Sequence, residues 1–162
     1  MNVVVNAGAV APERFEDGKE MLLAGLSASY TLDTRAAIPA QWGRFAPHLG
    51  RVPGQVGESS YGVSWNATPE GGFDYLCGVE VADGARLPPA FAQVRLPARR
   101  YAVFAHREHV SKMPATFDAI FGTWLPNSGR KPAHAPSFER YSGDFDPCAG
   151  TGSVEIWIPL ES

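Results

Sequence analysis

The order of elements in this chain is written twice, and that duplication limits the folds open to it. "IPAQW" (38–42) and "IFGTW" (120–124) share the pattern Ile-x-x-x-Trp at an offset of 82 residues, each with a proline soon after the tryptophan. The flanking segments follow the same order. "EMLLAGLSASY" (20–30) reads as an apolar strand. "DTRAAIPAQWGRFAPHL" (33–49) reads as a helix capped by Asp33 or Thr34, with Ile38, Trp42, Phe45 and Leu49 at helical spacing. "SSYGVSWN" (59–66) and "FDYLCGVEV" (73–81) are two strands joined across the turn signal "TPEGG". A Pro-rich connector (82–98) leads to a second round: strand "RRYAVFAHREH", helix "SKMPATFDAIFGTWLP", strand "SFERYSGDF" and strand "SVEIWIPL". The first strands match only after a gap.

Two such units join most simply as an α+β fold. The duplicated β-α-β-β units form one antiparallel sheet, with two helices on one face and a ligand groove between them. On this reading residues 1–17 are a loose lead-in and 18–162 a single domain, with repeats at about 20–82 and 98–161. Strand alternation puts Tyr61, Val63 and Trp65 on one face of their strand, and Phe73, Tyr75, Cys77 and Val79 on one face of theirs.

Composition narrows the function. A net charge of −3 and the lack of any Lys/Arg run give no footprint for direct nucleic-acid binding. No segment has the length or apolarity of a membrane span or an export signal, so the expectation is a cytoplasmic protein with free thiols. Cys77 and Cys148 form no metal or redox pair. His106 and His109 have odd spacing in a strand, and His48 and His134 are isolated, so neither metal nor cofactor is expected. No nucleophile elbow appears, and Asp144 and Asp146 read as turn residues.

The candidate for recognition is an acid in the closing strand. In "SVEIWIPL", Val154, Ile156, Ile158 and Leu160 face one way, and Glu155 with Trp157 the other. The repeat offset lays Glu155 over Phe73 and Trp157 over Tyr75. Two readings stand. Glu155 is a solvated residue on a wet sheet face, or it is the charged floor of an aromatic groove, where desolvation favours a cationic partner. Trp42 and Trp124 would flank such a groove symmetrically, and Trp65, Tyr75 and Tyr101 are further candidates for its walls.

The stretches "YGVSWN", "FDYLCGVEV", "LPARRYAVFAHREH", "TFDAIFGTWLPNSG", "FERYSGDFDP" and "VEIWIPL" together resemble the GyrI-like effector-binding domain, over about residues 14–160. That family forms the ligand-sensing part of AraC-type and multidrug-sensing MerR-type regulators. It also occurs alone, including as integron-cassette proteins. The resemblance implies the duplicated fold and a last-strand acid that meets cationic aromatic ligands, here Glu155. Such regulators carry a helix-turn-helix domain for which this chain has no room, so the expectation is a stand-alone binder of cationic, aromatic or amphipathic small molecules. Two alternatives are a small-molecule hydrolase using the same groove, with Glu155 as acid or base, and a protein-binding module of the gyrase-inhibitor kind, which would bring a protein partner.

Overall fold

The computed structural model describes residues 10–146 and 149–161. Eight strands form one antiparallel sheet: β1 (Arg14–Gly18), β2 (Met21–Tyr30), β3 (Ser60–Trp65), β4 (Phe73–Glu80), β5 (Ala92–Leu96), β6 (Arg99–His106), β7 (Ser137–Tyr141) and β8 (Val154–Pro159). Their spatial order is β1-β6-β8-β7-β3-β4-β2-β5. Each repeat thus contributes one half of the sheet, and the halves meet where β3 pairs with β7. Helix α1 (Ile38–Phe45) follows β2. Helix α2 (Met113–Ala119) follows β6 and runs through a π-turn (Ile120–Trp124) into the short α3 (Leu125–Asn127).

The two outermost strands differ from the sequence reading. Residues 14–17, placed in the loose lead-in, belong to β1, and the Pro-rich connector contains β5. Both are exchanged between the halves. β1 precedes β2 in sequence but pairs with β6, and β5 precedes β6 but pairs with β2. Their composition hides them, because a strand at an edge carries charges and tolerates nearby proline. The rest of the lead-in up to residue 9, and Cys148, lie outside the described residues.

The two faces of the sheet are packed differently. Phe45, Tyr75, Cys77 and Val79 make the core under α1, and Phe104, Ile120, Ile156 and Ile158 the core under α2 and the π-turn. The opposite face gathers Leu23 and Leu96 from one margin with Tyr101 and Val103 from the other, around Tyr61, Phe138 and Trp157. Residues from opposite margins share one cluster only if that face is concave, so the sheet curls into a half-barrel with the helices outside. The helices are apolar on one side because only that side meets the sheet.

Candidate functional site

The site follows from strand alternation at the junction of the halves. β7 reads Ser-Phe-Glu-Arg-Tyr, so Glu139 and Tyr141 face together, and Phe138 faces the other way into the concave cluster. Tyr141 packs in the core under α2, so Glu139 lies on the helix side. In the ladder Ile156, Glu139, Gly62 and Cys77 form one row from β8 to β4. A carboxylate therefore stands at the centre of the sheet, between the two helix-covered cores, and only 5% of its surface is exposed.

Three side chains and one glycine organise it. The Tyr75 hydroxyl donates to Glu139 Oε1 at 2.9 Å and the Tyr141 hydroxyl donates to the same oxygen at 3.0 Å. Trp42 Nε1 donates to the Tyr75 hydroxyl at 2.9 Å, and its ring meets Tyr141 edge-on with centroids 5.1 Å apart. Among the described residues no side chain bonds Glu139 Oε2, and no Lys or Arg pairs with Glu139. Gly62 supplies the room. A Cβ there would fall 2.0 Å from the Tyr75 hydroxyl and 2.6 Å from Glu139 Oε1.

Trp42 is held by its neighbour. Gln41, 1% exposed, donates through Nε2 to the carbonyls of Leu26 (2.8 Å) and Tyr75 (3.2 Å), and its Oε1 accepts from the Tyr30 hydroxyl at 2.5 Å. Those bonds pin α1 to β2 and β4 and set Trp42 over the two tyrosines. Arg35, in the turn ahead of α1, reaches Asp118 of α2 at 3.5 Å, which links the helices across the gap. Trp42 thus packs against both phenols that bond the carboxylate.

The electrostatics mark Glu139 out. Burial raises its carboxyl to about 7, against the pull of the two phenol donors that favour the anion. The Tyr75 and Tyr141 hydroxyls are pushed well above their ordinary value, by burial first and by the adjacent Glu139 charge second. Burial also pushes the Cys77 thiol up to about 11, which keeps it a protonated core residue. The arrangement can neutralise one positive charge among aromatic rings, or hold and release one proton near neutral pH.

The residues expected from sequence divide between the faces. Tyr75 and Trp42 meet at Glu139. Trp124 is on the helix side, where it packs on Phe104 (5.0 Å) and Phe15 (6.5 Å). Trp65, Tyr101 and Trp157 belong to the concave cluster. Glu155 is next to Trp157 there, not on the floor between the helices. Its carboxylate accepts from Arg14 at 2.9 Å and Trp157 Nε1 at 3.1 Å, with Arg140 at 3.8 Å. Burial raises the Glu155 carboxyl, but the Arg14 and Trp157 bonds outweigh it and hold it below the usual range. The offset of 82 does not match like faces of β8 and β4, since Trp157 faces the concave cluster and Tyr75 the helices. Trp157 shares its row with Phe138, Val63 and Leu76, not with Tyr75.

The GyrI-like small molecule binding domain matches residues 13–161. The chain belongs to the GyrI-like family. It is also similar to the transcriptional regulator BrlR of Pseudomonas aeruginosa, at 32% identity over 124 residues. That match takes in 74% of this chain and 44% of the regulator, so the chain spans less than half the length of that relative. Among solved structures, SAV2435 bound to tetraphenylphosphonium superposes with a TM-score of 0.71 at 18% identity, over 92% of this chain and 93% of that one. An integron cassette protein from Vibrio cholerae gives 0.66 at 18% identity, over 94% and 99%. A hydrolase encoded by lin2189 of Listeria innocua gives 0.53 at 11%, over 94% of both chains. These likenesses are of fold.

In this GyrI-like domain the sequence reading did not single out Glu139, Tyr141, Gln41 or Gly62. The signal for the first two is in "SFERY", where alternation joins an acid to a tyrosine. Which face meets the helices is a tertiary property, and a five-residue strand does not carry it.

Proposed function

We propose that this GyrI-like small-molecule-binding domain takes a lipophilic aromatic monocation, with the positive charge against Glu139 and aromatic groups against Trp42, Tyr75 and Tyr141. The observation that carries this reading is a buried carboxylate among aromatic rings with no cationic side chain paired to it among the described residues. Burying an anion without a counter-charge is costly, and the protein lowers that cost by keeping the proton up to about neutral pH. A lipophilic cation offers another solution, replacing the proton and covering the rings with its own. Glu155 does not offer it, because Arg14 and Arg140 already meet its charge.

Tetraphenylphosphonium, the ligand of the SAV2435 structure, is a suitable probe. Tetraphenylborate has nearly the same shape and the opposite charge. Titration followed by tryptophan fluorescence should show binding of the phosphonium with a change in Trp42 emission, and little binding of the borate. Glu139→Gln should weaken the phosphonium by tenfold or more, on the order of 1.4 kcal/mol, and narrow the discrimination. Equal binding of both ions by the wild-type protein contradicts the reading.

A second reading, turnover of an electrophilic ligand, is favoured by the Glu139 carboxyl standing near neutral pH, where it can accept and return a proton. Product formation from a candidate electrophile, lost in Glu139→Gln, supports it. Stoichiometric binding without product counts against it.

A further inference from the structure

The two oxygens of the buried Glu139 carboxylate have different surroundings. Oε1 accepts from the Tyr75 hydroxyl at 2.9 Å and from the Tyr141 hydroxyl at 3.0 Å. Trp42 Nε1 donates to the Tyr75 hydroxyl, which leaves that hydroxyl's own proton for Glu139. Oε2 has no hydrogen-bond partner among the described residues. The fully buried side-chain polar atoms that lack a partner among those residues are Gln55 Oε1, Arg99 Nε and the Tyr101 hydroxyl. Oε2 is not one of them, so this oxygen keeps contact with solvent through the 5% of Glu139 that is exposed.

That asymmetry decides where a proton sits. A protonated carboxyl carries one O–H donor, and an oxygen that already accepts two phenol protons is the less favourable of the two places for it. The proton therefore goes to Oε2. It turns the solvent-touching oxygen from an acceptor into a donor, while Oε1 keeps both of its bonds. Burial raises the Glu139 carboxyl to about 7, so both forms exist close to neutral pH, and no charged side chain contributes to that shift. The titratable groups facing it are Tyr75 of β4 and Tyr141 of β7, both pushed well above their ordinary value and neutral throughout this range. In the same row β3 brings Gly62, β8 brings Ile156 and β4 brings the protonated Cys77, while α1 brings Trp42. The α2 side adds the apolar Phe117 and Ile120, in one cluster with Tyr141. Only Glu139 changes its charge here between mildly acidic and mildly basic pH.

We propose that Glu139 also receives neutral ligands, its Oε2–H donating to a strong acceptor oxygen, such as a phosphoryl, sulfoxide or amide oxygen, carried on aromatic groups. A buried carboxylic acid that stays neutral is a good donor of this kind. Such a ligand covers the rings of Trp42, Tyr75 and Tyr141 as a lipophilic cation would, and needs the opposite protonation state of the acid. The inference rests on Glu139 as the ligand-facing group of the proposed function, and not on the ligand being charged. One site then takes two ligand classes, neutral acceptors on the acid side of neutrality and cations on the basic side.

The probes are triphenylphosphine oxide, which is neutral, and tetraphenylphosphonium, each titrated into the whole chain at pH 6 and pH 9 and followed by tryptophan fluorescence. The phosphine oxide should bind at pH 6 and weaken by about a hundredfold at pH 9, because only the protonated fraction receives it. Phosphonium binding should change in the opposite direction. Glu139→Gln separates the two classes. A glutamine amide can keep its oxygen on the two phenols and present an N–H where the Oε2–H stood. The variant should therefore hold the phosphine oxide at both pH values with the affinity of the wild type at pH 6, while phosphonium binding falls. Phosphine oxide binding that is absent from the wild type at pH 6, or equal there at pH 6 and pH 9, overturns the proposal. So does its loss in a folded Glu139→Gln protein. Phosphonium binding without phosphine oxide binding overturns this inference and leaves the cation reading standing, and the reverse result overturns the cation reading alone.

Discussion

Tyr75 and Glu139 hydrogen-bond at 2.9 Å across an intervening strand, β3, rather than between neighbours. The bond passes over Gly62, where any side chain would stand in its path. A glycine in the first repeat and an acid in the second therefore form one device. The site uses the duplication and at the same time breaks its symmetry.

Gly62→Ala tests that relationship. The added methyl must displace the Tyr75 hydroxyl, through overpacking and a lost hydrogen bond at a buried acid, at a cost of about 1–3 kcal/mol. Denaturant unfolding of the two proteins measures it. A variant as stable as the parent would show that the row of strands adjusts freely.

Glu139 should give stability a pH dependence of defined sign. Its folded carboxyl is raised from 4.5 to about 7, so between those values the folded state holds a proton that the unfolded chain has released. Stability contributed by this group is present below the unfolded value and falls as pH rises through the folded one, by on the order of 3 kcal/mol. The difference between wild type and Glu139→Gln isolates it from other titrating groups. It should shift in favour of the Gln variant between acidic and neutral pH and then level off. A flat difference contradicts the buried, raised carboxyl.

Glu155 titrates with the opposite sign. Its depressed carboxyl adds stability above the ordinary carboxylate range and loses it on acidification. The Arg14 pair is half-exposed, so Glu155→Gln should cost under about 1 kcal/mol. Because Glu155 is on the concave face, the same change should leave phosphonium affinity within about twofold. A large loss of affinity would return Glu155 to the binding site.

Ligand charge should be discriminated as well. Glu139 is the sole buried carboxylate among the described residues, and its partner across the β3–β7 junction is Gly62. A bis-phosphonium would bury a second charge without a counter-ion and should bind about tenfold weaker than tetraphenylphosphonium. Tighter binding of the dication would imply a second acid within reach.

The limits of the sequence reading are physical. Ile38, Trp42 and Phe45, and later Phe117, Ile120 and Trp124, repeat at helical spacing strongly enough to mark both helices, and the six inner strands stand out as short apolar or aromatic-rich segments between turn signals. β1 and β5 lack that pattern because each is a margin of the sheet. Trp42 and Tyr75 were legible as aromatic residues on a helix stripe and a strand face. Glu139 was not, because its face is set by pairing with β3 and β8, two long-range contacts. Glu155 drew notice through its apolar neighbours, yet its partner Arg14 comes from the first strand, 141 residues away.

The central claim is that a cation takes the place of a proton at Glu139. Calorimetric titration of tetraphenylphosphonium at pH 6, in two buffers of different ionisation enthalpy, counts that exchange. The account predicts roughly one proton released per cation at pH 6, none near pH 9, and none at either pH for Glu139→Gln. Binding of equal strength at both pH values, with no proton released, would contradict it.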